Sequence, residues 1–455
     1  MAQFNEEFYL ENNPEALASE KTAFEHFVTE GWESGAQANA EGEVLTGDDI
    51  VIEAVALPGE ALLSLVSEMG ADDMRAVDAG SAALDVPALM ITSFDVFKNM
   101  DASETAQLVE DTPESLAIME VDDFQFLESG GTFDVGQTMD GLDESTTADV
   151  LKGLGGEALG FVDAKETYDM GAKLTAMGDE NLATVMGGLE VDGMTFMDGM
   201  DDFDMGAELA TMDDQHMASM MGNFDQDDLG FFGGMDDFDL AGELGSMDDQ
   251  YLGSMLGQMD ADEFTFFDGM DGFDLGGELA NMDDQHMASM MGNFDQDDLG
   301  FFGGMDDFDM GAKMNGMDDQ YMSSMLGEMD SAEFSFFDGM DDFDMGTRMG
   351  SMDDQHMASM MGKFDQDDLG FFGGMDDFDL AGELGSMDDQ YMAGMFGEMD
   401  TAEFSFFDDM AGFDMGARMG SMDDQHMASM MGNFDQDDLG FFGGMDDFDL
   451  AGELG

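Results

Sequence analysis

The sequence predicts an all-α fold, an α-solenoid built from 35-residue repeats with three short helices in each repeat. Three features of the 455-residue chain predict this fold: a fixed period, an Asp near the start of every segment, and apolar residues at helical spacing. We expect regular repeats over residues 133–455, degenerate helical repeats over 41–132, and a small helical module over 1–40.

The fixed period is the first of these features. An aromatic residue followed by Asp recurs every 35 residues, at Phe133, Tyr168, Phe203, Phe238, Phe273, Phe308, Phe343, Phe378, Phe413 and Phe448. A second period of 70 residues is superimposed, because the string MDDQHMASMMG starts at Met212, Met282, Met352 and Met422 and the intervening copies carry Tyr in place of His. Such near-identical copies indicate tandem duplication, so we expect length or copy number to matter for function.

Each repeat divides into three segments that begin alike, as in MDDFDMGAELAT, MDDQHMASMMGN and FDQDDLGFFGG over residues 200–234. Asp is a favoured N-cap, and apolar residues at the first and sixth positions of a segment form a hydrophobic staple. The predicted N-caps are Asp201, Asp213 and Asp225. The predicted left-handed helix ends are the glycines Gly222, Gly233 and Gly234. Helices of about eight or nine residues result.

Apolar spacing within a segment predicts one buried face per helix. Met217, Met220 and Met221 follow i, i+3, i+4 spacing, which places them on a single stripe. Helices this short do not persist alone, so each must stack on its neighbours. The spacing and the Asp caps resemble the helical-repeat domains of flagellar motor switch and magnesium-transporter regulatory proteins, a resemblance that implies no function here.

The charge of the chain restricts its partners. Asp and Glu number 108 against 10 Lys and Arg, a net charge of -98, which excludes nucleic acid and negatively charged membrane surfaces as partners. Hydrophobic residues make up 43% of the chain and Phe alone numbers 41, so we expect a folded core rather than disorder. Because a compact body with this charge repels itself, cations are expected partners.

The chain has no Cys, which excludes disulfides and thiolate metal sites. No stretch of 18 apolar residues is present to span a bilayer, and the start MAQFNEEFYL has neither the basic nor the apolar region of a cleavable signal peptide. If the protein is exported, we expect another export signal.

The segments FNEEFYLENNPEALA and EHFVTEGWESGAQAN, within residues 4–39, do not follow the repeat. They resemble a short helical module of type I-secreted proteins of Gram-negative bacteria, often found beside calcium-binding RTX repeats. The residues that match are Phe8, Tyr9, Leu10, Asn13, Pro14, His26, Phe27, Gly31 and Asn39. The resemblance implies type I secretion and an extracellular or cell-surface location. The RTX nonapeptide GGxGxDxUx is absent, so the resemblance does not extend to the RTX calcium site.

Calcium is the cofactor that the acidic clusters suggest, because this hard cation takes oxygen ligands. Asp225, Asp227, Gly230 and Asp236 fall at positions 1, 3, 6 and 12 of an EF-hand-like frame, although position 12 lacks the usual Glu. The candidate calcium ligands are Asp225, Asp227, Asp228, Asp236, Asp295, Asp297, Asp365, Asp367, Asp435 and Asp437. The alternative interpretation is that these residues are helix caps on a solvated acidic face, with cations bound diffusely.

Methionine and histidine offer two further candidate metal ligands. The 54 Met residues suggest copper(I), but their helical spacing is typical of a flexible core. The four repeat histidines are predicted to be structural, since the alternate repeats replace each by Tyr; they are His216, His286, His356 and His426. No catalytic motif is present, so we expect no enzyme activity.

These observations favour a secreted acidic structural protein of the cell surface or matrix. We expect it to polymerise head-to-tail, because the last repeat stops at FDLAGELG without a polar capping helix, and calcium or another divalent cation to bridge acidic faces. The alternatives are an adhesin-like binding stalk and a Met-rich copper store. A halophilic cytoplasmic origin would also explain the acidity.

Overall fold

A computed structural model describes residues 6–13, 16, 23, 90, 94–445 and 448. The chain divides into two compact units, residues 1–216 and 217–455. Each unit is all-α, and no strand occurs in the ranges just given. Most of the expected module over residues 1–40, and residues 41–89, lie outside the described residues; within that module a helix covers Glu6–Asn12.

The prediction of three helices per repeat is confirmed over residues 133–445. The first helices are Val135–Gly141, Met170–Ala176, Met205–Leu209, Leu240–Leu244, Leu275–Asn281, Met310–Gly316, Met345–Met349, Leu380–Ser386 and Met415–Ser421. The second helices are Glu144–Leu151, Asp179–Met186, Asp214–Met221, Asp249–Leu256, Asp284–Met291, Asp319–Leu326, Asp354–Met361, Asp389–Phe396 and Asp424–Met431. The third helices are Gly156–Asp163, Val191–Asp198, Gln226–Gly233, Ala261–Asp268, Gln296–Gly304, Ser331–Asp338, Gln366–Gly374, Thr401–Asp409 and Gln436–Phe442.

Residues 94–132 are helical too, with an irregular order of elements. A 3₁₀ helix at Phe94–Asn99 precedes the α-helix Ala102–Asp111, and a second 3₁₀ helix, Pro113–Ile118, precedes the α-helix Val121–Ser129. The 3₁₀ helix Pro113–Ile118 packs against the second helix Glu144–Leu151 and so takes the place of a second helix. Its proline sits in the first turn, where the missing N–H costs no helical hydrogen bond.

The predicted N-caps are right for the second and third helices and wrong for the first. Asp225 accepts hydrogen bonds from the backbone N–H groups of Asp227 and Asp228. The first helix of that repeat is capped by Asp204, which accepts from the Ala207 N–H, and not by Asp201. Asp201 lies in a turn, because the chain first buries Phe203 before the helix starts. The first helices therefore have only five or seven residues.

The glycines that end the helices are not left-handed as predicted. The C-cap Gly234 has φ -95° and ψ -7°, and the positive-φ residues of the described chain are Gly131, Gly272 and Gly412, all in turns. At Gly303 the requirement is space: a Cβ there would lie 2.7 Å from Cζ of Phe336 in the next repeat. The small residue lets neighbouring third helices pack closely.

Within each unit the core lies between like helices of successive repeats. Second helices pack on second helices and third helices on third helices, as Asp249–Leu256 does on Asp284–Met291. The predicted Met stripe is buried: Met287, Met290 and Met291 are no more than 2% exposed. Phe rings fill the space between third helices, where Phe264 lies 4.6 Å from Phe302 between ring centroids. The described helices include none with the length and hydropathy needed to cross a membrane.

Candidate metal centre

Successive second helices are joined by a side-chain hydrogen bond. The Asp at the first position of one second helix accepts, through Oδ2, the backbone N–H of the N-cap Asp of the next. This N–H is outside the helical hydrogen-bond pattern, so the carboxylate satisfies a donor that the next helix cannot. The bonds to repeats with His are Asp179 to Asp213 at 3.0 Å, Asp249 to Asp283 at 2.9 Å, Asp319 to Asp353 at 3.1 Å and Asp389 to Asp423 at 3.0 Å. The bonds to repeats with Tyr are Asp284 to Asp318 at 3.1 Å and Asp354 to Asp388 at 2.8 Å.

The histidine of the later repeat lies beside each of the Asp pairs in the repeats with His. The ligand atoms of the three side chains lie within 4.8 Å of one another. We call these groups the inter-repeat clusters; they are Asp179, Asp213 and His216; Asp249, Asp283 and His286; Asp319, Asp353 and His356; and Asp389, Asp423 and His426. Each lies within a single compact unit, and each combines residues of two neighbouring repeats.

The histidine presents a buried nitrogen to the carboxylates. Nδ1 of His286 lies 3.1 Å from Oδ1 of Asp283, yet it is buried and makes no hydrogen bond of acceptable geometry. Oδ1 of Asp283 instead accepts the His286 backbone N–H at 3.1 Å. The other three clusters have the same arrangement, except that Nδ1 of His426 lies nearest to Oδ2 of Asp423. A buried polar atom that makes no hydrogen bond is costly, and a ligand bound to this nitrogen would remove that cost.

The clusters differ at one neighbouring residue. This residue lies on the first helix of the repeat that supplies the histidine, and we call its place the facing position. This facing position is the fourth residue of that helix. In two clusters it is Arg, since Arg348 contacts Oδ1 of Asp319 at 2.8 Å and Arg418 contacts Oδ1 of Asp389 at 2.7 Å. In the other two it is Glu208 or Glu278.

The repeats with Tyr in place of His also carry either a basic residue or Glu at the facing position. Lys313 lies 3.5 Å from Oδ1 of Asp284. Glu383 occupies the equivalent place near Asp354, and burial, then the charge of Asp354, raises the pKa of Glu383. Burial, followed by Asp249, raises the pKa of Glu278 in the same way.

The donor set of a cluster decides which metals suit it. Two carboxylates and one imidazole nitrogen match the ligands of zinc and similar first-row divalent ions, which bind imidazole as well as oxygen. Calcium takes six to eight oxygen ligands in general. The clusters therefore favour zinc-like ions over calcium.

The predicted calcium ligands are not brought together into one loop. Asp225 caps the helix Gln226–Gly233 and Asp227 lies in its first turn, whereas Asp236 follows the other end. Eight helical residues separate the two ends by about 12 Å. Asp228 completes a capping box by accepting the Asp225 N–H at 3.3 Å. Asp295, Asp297, Asp365, Asp367, Asp435 and Asp437 occupy the same capping positions in later repeats.

A second set of acidic groups is buried beside the third helices. Glu263 and Asp298 are the third residues of their helices and close capping boxes with Asp260 and Asp295. Burial is the main cause that raises the pKa of Glu263 to about 7 and the pKa of Asp298 to about 6. The capping carboxylates nearby contribute like-charge repulsion.

Sequence reasoning missed the clusters because it treated each repeat alone. The exchange of His for Tyr in alternate repeats argued for a structural role, but a cluster uses an Asp from one repeat and a His from the next. One cluster per 70-residue pair then follows from the alternation. The available signal was the Asp found 34 residues before each N-cap Asp, such as Asp249 before Asp283.

Comparison with known proteins assigns the chain to no group. No protein-family model matches it, and neither does any curated protein or any solved structure.

Proposed function

We propose that the protein is a structural repeat protein that binds divalent metal ions at its inter-repeat clusters. Bound ions would tie neighbouring repeats together and offset the repulsion of an acidic surface. The observation that supports this most directly is the buried Nδ1 of His286, and of its three equivalents, which makes no hydrogen bond and belongs to a residue grouped with two carboxylates. A metal ion would satisfy that nitrogen and both carboxylates at once.

The position of the clusters agrees with a structural role. Asp249 and His286 lie on different repeats, so an ion held between them links two layers of the solenoid. An ion that binds only the folded chain stabilises it, by about 2.7 kcal/mol at a concentration 100 times its Kd. No catalytic role is part of the proposal.

The wider setting we propose is the cell surface or the extracellular matrix. The support is the resemblance of residues 4–39 to a module of type I-secreted proteins, together with the acidic composition. Calcium and other divalent cations would also bind the exposed carboxylates diffusely and bridge neighbouring copies. Sedimentation of the full chain in calcium and in EDTA tests this assembly; an unchanged sedimentation coefficient would count against it.

The metal proposal is tested by titration of the full chain with zinc after treatment with EDTA. We expect saturable binding that is stronger than calcium binding, and a higher unfolding temperature in zinc. The matched variant replaces all four histidines: His216→Tyr, His286→Tyr, His356→Tyr and His426→Tyr. Tyr occupies the same position in Tyr251, Tyr321 and Tyr391, so the variant should fold.

Retained folding of the variant is checked by its circular dichroism spectrum. Loss of the saturable zinc binding would support the proposal. Zinc binding of equal stoichiometry and affinity in the variant would show that the carboxylates bind zinc without the histidines, and the proposal would fail.

A second candidate function is a binding stalk, which one groove favours. The groove has a volume of about 880 Å³ and is lined by Gln285, Ser289, Gln320, Ser324, Gln355 and Ser359, among others. Its two charged residues, Lys363 and Glu328, pair with each other at 2.5 Å. A neutral groove of amides and hydroxyls on an acidic chain suits a neutral polar polymer such as a polysaccharide. Titration with neutral polysaccharides and the variant Gln320→Glu tests this candidate, which weaker binding by the variant would support.

A further inference from the structure

We propose that two of the four inter-repeat clusters carry a cation of their own, so that metal ions bind selectively at the other two. In the clusters of His356 and His426, Arg348 and Arg418 each contact one carboxylate, whereas the facing position of the clusters of His216 and His286 holds Glu208 and Glu278, and we assign the metal ions to these two. This inference rests on the proposed metal-binding function and specifies where the ion binds.

In two clusters a guanidinium group, which is a cation, contacts one of the carboxylates. The side chain of Arg348 is only 10% exposed, and its Nη1 contacts Oδ1 of Asp319 at 2.8 Å. Its Nη2 donates to the backbone carbonyl oxygen of Met317 at 2.7 Å. Arg418 makes the same two contacts, with Asp389 and with the carbonyl of Met387. The carbonyl belongs to the residue that ends the preceding first helix, where the helix dipole also favours positive charge.

The glutamates leave the same place without a positive charge. Glu278 is the fourth residue of its first helix, as Arg348 is, and the equivalents of the other contacts are the Met247 carbonyl and Asp249. A third carboxylate, on the first helix of the later repeat, therefore faces the pair Asp249 and Asp283 beside His286. Carboxylates grouped at a partly buried position repel one another, and a cation among them would offset that repulsion.

The formal charges of the two kinds of cluster support this assignment. Two carboxylates and one guanidinium give the Arg348 cluster a single net negative charge with neutral His356. Three carboxylates and a divalent ion would give the Glu278 cluster the same net charge with neutral His286. A metal ion at the Arg348 cluster would have to displace or approach a buried guanidinium, which costs Coulomb energy.

The distribution of basic residues gives the same result. The chain has only 10 Lys and Arg in 455 residues, and four of them occupy the facing position: Lys173, Lys313, Arg348 and Arg418. Lys313 contacts Asp284 and the Met282 carbonyl, as the arginines do in their repeats. Basic side chains are rare in this chain, and three of these four contact the Asp at the first position of a second helix in the preceding repeat.

The experiment measures the number of zinc ions bound per chain, for the full-length protein and for variants with a substitution at the facing position. The wild-type chain is expected to bind two zinc ions tightly. Glu278→Arg should remove one, with affinity at that cluster lowered by about 10- to 100-fold. Arg348→Glu should add a third. Both swaps place a residue that the chain already carries at the equivalent position, so folding is expected to persist. Glu383→Arg, in a repeat with Tyr391 instead of His, is the matched control and should leave the count at two.

Nuclear magnetic resonance of the imidazole groups identifies the clusters that are occupied. Zinc should shift the signals of His216 and His286 and leave those of His356 and His426 unchanged. Equal shifts at all four, with no effect of Glu278→Arg, would overturn this inference and leave the metal-binding function standing. No zinc-dependent shift at any histidine would overturn both.

Discussion

Oδ2 of Asp249 accepts the backbone N–H of Asp283 at 2.9 Å, across 34 residues of sequence. The bond connects the start of one second helix to the start of the next. Because a solenoid is stabilised mainly by contacts between neighbouring repeats, a polar bond of this kind couples the folding of the two repeats that it joins. The apolar faces of the helices pack through non-directional contacts, and this hydrogen bond adds a directional contact between the N-termini of two second helices.

Removal of this bond should weaken the coupling between repeats. Asp249→Ala leaves the Asp283 N–H without its carboxylate, and we expect a loss of about 1 kcal/mol in the free energy of unfolding in EDTA. Asp268→Ala also removes one negative charge, but from an exposed residue at the end of a third helix, and serves as the control. Urea unfolding followed by circular dichroism measures both, and equal effects of the two variants would contradict the prediction.

Close packing of third helices should make two adjacent glycines respond differently to alanine. A Cβ on Gly303 would lie 2.7 Å from Phe336, whereas a Cβ on Gly304 meets nothing within 4 Å. We expect Gly303→Ala to destabilise by about 1–3 kcal/mol and Gly304→Ala to stabilise by about 0.4–1 kcal/mol. Thermal unfolding of the two variants provides the comparison. A similar loss in both would mean that helix ends, and not packing, require these glycines.

The buried rings between repeats should dominate stability. Phe302 is 1% exposed and stacks on Phe294 with centroids 5.0 Å apart. Phe302→Ala is expected to cost about 3–5 kcal/mol. The neighbouring Phe301 is half-buried, so Phe301→Ala should cost clearly less. Urea unfolding measures both losses, and equal losses would contradict the placement of the core.

Mild acid should stabilise the protein. The pKa of Glu263 rises from 4.5 to about 7 in the folded chain, and the pKa values of Asp298 and Asp368 rise from 3.8 to about 6. Since the folded state binds these protons more tightly than the unfolded state, their contribution is complete below about pH 4 and is lost as the pH rises through 6 to 7. The free energy of unfolding should therefore increase from pH 8 to pH 5.

Urea unfolding at a series of pH values measures this dependence. The variant Glu263→Gln, Asp298→Asn, Asp368→Asn should flatten the curve between pH 5 and 8. A wild-type curve that falls on acidification over this range would contradict the assignment of these buried carboxylates.

Salt should also stabilise the chain. At a net charge of -98 the exposed carboxylates repel one another, and the Debye length shortens from about 30 Å at 0.01 M to about 3 Å at 1 M salt. The unfolding temperature is expected to rise steadily with sodium chloride in the presence of EDTA. Sodium chloride is compared with sucrose of equal osmolality, which screens no charge and should have a smaller effect.

Much of the fold could be predicted from local rules. The period of 35 residues, the buried Met stripe and the caps Asp213 and Asp225 all follow from preferences that operate within one segment. The same rules failed at Asp201 and at the glycine helix ends. There the decisive factors are the burial of Phe203 and the space taken by a ring such as Phe336, which belong to packing between segments.

By itself the sequence determined the all-α repeat architecture, the three helices in each regular repeat and the acidic surface, because each depends on residues close together along the chain. Only the tertiary structure decided which carboxylates meet. The Asp249 side chain lies beside His286, and its charge acts on the facing residue Glu278, because stacking places helices of successive repeats side by side. The separation of 34 residues between Asp249 and Asp283 is visible in the sequence, but only the stacking of the helices shows that these two carboxylates meet.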